Sequence, residues 1–313
     1  MEYIGSKVHI DLNRLENNYN VLSKDLNGIP IMATVKANAY GHGAVEISKT
    51  LERIGVRYLA VFTIEEGIEL READIKTDIL IYSKLNHTAL NEAKKYNLTL
   101  NISSFEDLDY LRNFEGKSLR VHLKIDTGMT RLGVSHDKAE TFLKEAAQIS
   151  SINIEGIYSH FSTGDEGNLS YAKKQLNRFN EVVELAKKLN IVPPLIHCSN
   201  SGAILNLAES RFNLCRVGML LYGAFPSDEV PKDLSIEPVM TLTAPIVEIR
   251  DVKAGTPISY GGVYSTDKDT KIAVVQAGFA DGVPRPWYTK GYVKLKNKKF
   301  KITGRICMDQ LMI

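Results

Sequence analysis

Lys36 stands where the apolar, β-branched run from Ile31 to Val35 should end, and Tyr40-Gly41-His42-Gly43 follows it as a tight glycine turn. A lysine at the mouth of a buried strand loses hydration, and burial depresses its pKa. An amine so depressed is what a Schiff base with a carbonyl cofactor requires. The same features also fit a surface lysine beside a plain strand-to-helix turn. Other polar residues hold equivalent places. Lys124 and Asp126 end one apolar run, His160 ends another, Asn200 and Ser201 follow a third, and Arg216 lies in a fourth. Independent surface residues would not all fall at strand ends.

The elements that must position these groups alternate. Asp11 can cap a helix over Leu12, Leu15, Tyr19, Leu22 and Leu26, at 3–4 spacing. Strands are expected near Ile31–Val35, Tyr58–Phe62, Ile79–Tyr82, Leu98–Asn101, Arg120–Ile125, Glu155–His160, Leu195–Cys198 and Asn213–Val217. Helices fit between them near Ala44–Ile54, Ile64–Ala73, His87–Tyr96, Phe105–Phe114, Asp137–Ile149, Ser170–Leu189 and Ser201–Leu207. Eight such units in roughly 220 residues mark a TIM-type (β/α)8 barrel, whose sites lie at the C-terminal strand ends. A doubly wound open sheet fits less well, since no G-x-G-x-x-G follows a strand.

Near Pro226–Pro238 a Pro- and acid-rich linker ends the pattern, and helices vanish. Met240–Arg250, Lys271–Gln276, Gly291–Leu295 and Phe300–Ile306 read as strands of a mainly β domain. The expected bounds are 1–232 for the barrel and 233–313 for the β domain. The sequence stops inside an apolar strand at Leu311-Met312-Ile313, so that domain is expected to be incomplete.

The 313 residues suffice for both parts, and 44% hydrophobic with 24% charged content is that of a soluble globular protein. A net charge of +2 singles out no partner. The one lysine cluster, Lys290 to Lys301, alternates with Tyr292, Val293, Leu295 and Phe300, as a hairpin with a solvated face would. Nucleic acid is therefore not an expected partner. Three widely spaced cysteines, Cys198, Cys215 and Cys307, suggest reduced thiols and a cytoplasmic protein. Met1 leads into no signal-like apolar region, no run is long enough to span a bilayer, and no metal site is expected.

The strand-end residues come in runs: V-K-A-N-A-Y-G-H-G (35–43), H-L-K-I-D-T-G-M-T-R-L-G (122–133), S-H-F (159–161), C-S-N-S-G-A (198–203), R-V-G (216–218), S-Y-G (259–261), G-F-A-D-G (278–282) and G-R-I-C-M-D-Q (304–310). In order and spacing, over nearly the whole chain, these resemble bacterial alanine racemase. The resemblance implies a barrel-type pyridoxal 5′-phosphate enzyme that interconverts L- and D-alanine, supplying D-alanine for peptidoglycan, as a homodimer with shared active sites. It makes Lys36 the cofactor lysine and one catalytic base. The other base is Tyr260, from the partner subunit. Two bases on opposite faces of the substrate carbanion are the simplest route to racemisation. A phenol needs cationic neighbours to act as a base near neutrality.

The resemblance also makes Arg216 the partner of the pyridine nitrogen, with His160 behind it. Arginine keeps its proton, so that nitrogen stays unprotonated. Tyr40, Asn200, Ser201, Gly218 and Met219 match phosphate-binding positions. Arg131 matches a residue that contacts the cofactor's phenolic oxygen and the substrate carboxylate. Lys124 matches a lysine that is carbamylated in many relatives, and the Met308 backbone is expected to meet the substrate carboxylate. Two departures stand out. Phe279 replaces a tyrosine that lines the substrate entrance, and a later phosphate-contacting tyrosine is not in this sequence. A serine or broad-specificity racemase shares this machinery. A decarboxylase of the same fold would carry an acid in place of Arg216. A small cofactor-buffering barrel protein would lack the β domain.

Overall fold

A computed structural model describes residues 5–86, 88–115 and 118–313. His87, expected to start a helix, lies outside the described residues, as do the first four. The chain divides into two compact units, one spanning Asp11–Val239 and one joining the N-terminal strand to Met240–Ile313.

In the larger unit, eight strands recur between helices among the described residues. They are β1 (Ile31–Thr34), β2 (Tyr58–Val61), β3 (Asp78–Ile81), β4 (Leu100–Ile102), β5 (Leu119–Asp126), β6 (Ile152–Tyr158), β7 (Leu195–His197) and β8 (Cys215–Val217). Ladders join them, all parallel, in the orders β8-β1-β2-β3 and β4-β5-β6-β7. Among the described residues the two ladders do not join into one closed ladder. Backbone hydrogen bonds nevertheless cross both seams. Ile81 donates to Thr99 O at 2.9 Å, and Arg216 donates to Ser199 O at 3.2 Å.

Local chemistry accounts for the helices. Asp11 caps Leu12–Asp25 by accepting the N–H groups of Asn13 and Arg14. Thr63 and Glu66 form a reciprocal capping box at Ile64–Glu72. Within the first helix Asn18 is fully buried. Its amide bonds the Leu221 and Glu237 carbonyls and the Glu237 N–H, and so pins the acid-rich segment to the helix.

The second unit is built on antiparallel pairs. Lys7–Ile10 pairs with Met240–Thr243, so the N-terminal strand leaves the expected 1–232 domain. Pro245 follows that pair, where a ladder N–H is missing. The expected run Met240–Arg250 therefore splits, and Ile246–Val252 pairs instead with Thr270–Val275. Leu311–Met312 adds to the far edge of Thr270–Val275. Tyr292–Leu295 and Lys298–Lys301 form the lysine hairpin, turning through Lys296 and Asn297 at φ 45° and 66°. The core gathers Val275, Val283, Ile302, Ile306 and Leu311.

Candidate active site

A cavity of about 560 Å³ opens at the C-terminal ends of the parallel strands. Ten of the residues expected there from the barrel line it, namely Lys36, Tyr40, Lys124, Arg131, His160, Asn200, Ser201, Arg216, Gly218 and Met219, while Asp126, also expected at a strand end, is not among the lining residues. Phe62, Tyr82, Tyr158 and Phe161 supply its apolar walls.

Lys36 follows β1, and the chain then makes a left-handed turn. Ala37, Asn38, Ala39 and Tyr40 all have φ between 51° and 55°. Only Asn among them tolerates this region readily, and alanine there costs roughly 1–2 kcal/mol per residue. The turn is held from outside. Glu66 Oε1 accepts the Ala37 N–H at 2.6 Å, while Oε2 accepts from Phe62 and Thr63 at 2.6 and 3.1 Å. Asn38 Oδ1 accepts the Ala44 N–H at 2.7 Å and starts the next helix. Burial lowers the Lys36 pKa, the nearby Arg131 lowers it further, and Glu66 opposes both.

Lys124 is buried at the end of β5. Burial first, then the charges of Arg216 and Arg131, push its pKa down to about 7 against the pull of Asp126. Asp126 instead organises the loop that carries Arg131, accepting from Gly128, Met129 and Thr130 at 2.9 to 3.1 Å. The Tyr158 ring lies 5.2 Å from Lys124 Nζ and 5.3 Å from the Arg216 guanidinium carbon.

Arg216 is buried on β8. It donates to His197 Nδ1 at 2.7 Å, His160 Nδ1 at 2.9 Å, Ser159 O at 2.7 Å and Cys198 O at 3.0 Å. Burial, reinforced by the arginine charge, holds both imidazoles well below the usual histidine range, so they are neutral.

Asn200 caps the helix Ser201–Asn206, its Oδ1 accepting the Ala203 N–H at 3.0 Å. Ser201 Oγ accepts the Gly218 N–H at 3.2 Å. A Cβ on Gly218 would fall 2.6 Å from the Tyr40 hydroxyl, so glycine alone lets that hydroxyl approach the backbone. Burial raises the Tyr40 pKa to about 12, which keeps the phenol a donor.

Tyr260 and Met308 belong to the other unit. Tyr260 is 65% exposed in a turn where Ser259, Gly261 and Gly262 all have positive φ. Met308 is 57% exposed, and its carbonyl accepts the Ala280 N–H at 2.9 Å. Phe279 is exposed, with the Arg285 guanidinium 5.9 Å from its ring.

Sequence reasoning missed Glu66, His197 and Tyr158. The T-x-x-E pattern at Thr63–Glu66 signals the first, but its reach to Ala37 is tertiary. His197 and Tyr158 read as ordinary strand residues until register brings them against Arg216.

The cavity is rich in cationic and hydroxyl donors, with aromatic walls and a glycine-made cradle beside Tyr40. This donor set suits an aromatic, anionic cofactor held by a lysine, and the strand order is that of a barrel enzyme. Family models for the alanine racemase N-terminal domain and C-terminal domain match residues 10–226 and 239–313. The chain belongs to the alanine racemase family, whose members depend on pyridoxal 5′-phosphate. An alanine racemase of Desulforamulus reducens is 41% identical over 290 residues, 90% of this chain and 78% of that protein. The alanine racemase of Clostridium difficile 630 superposes with a TM-score of 0.90 at 36% identity, covering 100% of this chain and 83% of its own. The Bacillus anthracis alanine racemase with bound L-Ala-P gives 0.88 at 32% identity, covering 100% and 82%.

Proposed function

We propose that the chain racemises alanine by a two-base mechanism on pyridoxal 5′-phosphate. The observation that carries this is one cavity holding a depressed lysine, Lys36, with Arg216 on two neutral imidazoles. When bound, the cofactor draws electrons from the substrate Cα and acidifies its proton. Lys36 would hold the cofactor, and then move the Cα proton on one face. Tyr260 from a second copy would move it on the other. Arg216 would donate to the ring nitrogen, and would keep its own charge throughout. Tyr40, Asn200, Ser201, Gly218 and Met219 would bind the phosphate. Arg131 and the Met308 backbone would bind the substrate carboxylate.

Lys124 would orient Arg131. Two neighbouring cations repel, yet an amine with a pKa of about 7 is substantially neutral and nucleophilic. Such an amine can add to carbon dioxide, releasing one proton to solvent, and the resulting carbamate anion would attract Arg131. A cytoplasmic homodimer supplying D-alanine for peptidoglycan completes the proposal. No helix among the described residues is long and apolar enough to cross a membrane.

The test is L-alanine in D₂O with the cofactor-loaded protein. Racemisation predicts loss of optical rotation with deuterium at Cα. Carbon dioxide release would indicate decarboxylation, and neither would indicate simple cofactor binding. An L-serine arm reads the breadth of the substrate pocket.

A further inference from the structure

Arg216 fixes the protonation of each imidazole it reaches. A guanidinium has only donors, so His197 Nδ1 and His160 Nδ1 must accept from it. Each ring therefore carries its proton on Nε2. His197 must then donate from Nε2, and the atom it meets is His122 Nδ1, at 2.9 Å. His122 accepts, so it too is neutral with its proton on Nε2. Burial, with the charges of Arg120 and Arg216, holds the His122 pKa at about 3. One arginine thus orders a chain of imidazoles that runs from the cavity into the barrel interior.

The surroundings are shaped for this ring. His122 pairs with Gly156 across β5 and β6, beside an irregularity between Val121 and His122. A Cβ on Gly156 would fall 2.6 Å from His122 Nδ1 and 2.7 Å from its Cγ. Any side chain there would displace the imidazole. Tyr158 stacks on His197 with ring centroids 4.8 Å apart and planes 11° apart, which fixes the plane of that ring. His122 sits outside the lining of the cavity, and its hydrogen-bonded link to the site runs through His197.

We propose that His122 is a positioning residue for Arg216: its Nδ1 holds His197 in the Nε2–H form, and that form presents the acceptor that anchors the guanidinium. Without an acceptor at His122, His197 has two poor options. It buries an unpaired Nε2–H, or it moves the proton to Nδ1 and sets donor against donor at Arg216. Both leave a buried donor unsatisfied. The inference rests on the reading that Arg216 faces the cofactor's ring nitrogen.

His122→Asn keeps an acceptor in the place of Nδ1, and His122→Leu removes it. The readouts are ¹⁵N NMR of ring-labelled histidine and steady-state kinetics, both on the pyridoxal-phosphate-loaded protein. In His122→Asn, His197 should stay neutral in the Nε2–H form, with kcat within about threefold of wild type. In His122→Leu, the His197 ring-nitrogen signals should move, through an unpaired Nε2–H or a shift towards the Nδ1–H form, and kcat should fall about tenfold with a smaller change in KM. Gly156→Ala keeps His122 but drives a methyl into its ring. It should reproduce the leucine variant, and it serves if that variant does not fold. Unmoved His197 ring-nitrogen signals or a wild-type kcat in the leucine variant would overturn the proposal, as would an asparagine variant impaired as badly as leucine. A ¹⁵N-labelled cofactor separates the two readings. If Arg216→Lys leaves the ring-nitrogen signal unmoved, the placement of Arg216 fails, while the His197 signal still reports on His122.

Discussion

Glu66 accepts the Ala37 N–H at 2.6 Å, on the peptide that follows Lys36. One carboxylate therefore ties the turn that follows Lys36 to the capping box at the end of β2. Hydrogen bonds to a charged acceptor contribute about 1.5–3 kcal/mol, and a unit of this size loses about 2–4 °C of Tm per kcal/mol. Glu66→Gln places an amide N–H against a backbone N–H, so its thermal midpoint should fall by several degrees. The carboxylate also opposes the depression of the Lys36 pKa. Its removal should shift the lysine-dependent limb of the kcat/KM profile towards lower pH. An unchanged midpoint together with an unchanged limb would contradict the tie.

The left-handed turn carries a cost that glycine can relieve. Ala37 is exposed at φ 51°, so its methyl contributes no core packing. Glycine removes about 1–2 kcal/mol of strain and costs about 0.4–1 kcal/mol in unfolded-chain entropy. Ala37→Gly should therefore leave urea stability level or raise it by about 1 kcal/mol. A clear loss of stability would show that the turn is not strained at this position.

Lys124 should impose a recognisable pH dependence on the cofactor-free protein. Its folded pKa of about 7 lies below the ordinary lysine value of 10.5. Between the two values the unfolded chain binds more protons, so stability rises with pH across that window. At most, each pH unit there changes stability by about 1.4 kcal/mol. Lys124→Met fills similar volume without titrating. The stability difference, wild type minus variant, should grow from pH about 7 to about 9 in carbonate-free buffer. Parallel curves would place the amine outside the cluster of Arg216 and Arg131.

Arg216 should govern reaction specificity. Arg216→Glu offers the cofactor's ring nitrogen a group that supports its protonation, and a protonated ring is a stronger electron sink. Racemisation should slow at least about tenfold, and misplaced protonation should pass the amino group to the cofactor, releasing pyruvate as the cofactor is converted to its pyridoxamine form. Arg216→Lys retains the charge but loses the fork that spans His197, His160 and two carbonyls. It should slow racemisation without pyruvate. Wild-type racemisation by Arg216→Glu would remove Arg216 from the ring nitrogen.

Much of the barrel was legible because its signals are local. Buried parallel strands need apolar runs, and polar residues at their ends stand out against those runs. Asp11 and its 3–4 apolar spacing marked the first helix for the same reason. Three features were set by distant partners instead. Ala37 to Tyr40 contain no glycine, so nothing local announces a left-handed turn whose bracing comes from Glu66. Lys7–Ile10 is a strand whose partner lies more than two hundred residues away at Met240–Thr243. His122 was visible within its run, yet its place beside His197 depends on the register of β5 against β6 and on the space left by Gly156.

The two-base proposal is tested most directly by Tyr260→Phe with α-deuterated alanine in H₂O, following deuterium washout from each enantiomer separately. Resemblance assigns Lys36 to D-alanine and Tyr260 to L-alanine. Net conversion must slow in both directions, because each conversion uses both bases. Washout need not. From D-alanine it should continue through Lys36 without conversion, while from L-alanine it should fall by about 10² or more. Equal losses from the two enantiomers would contradict separate bases on the two faces.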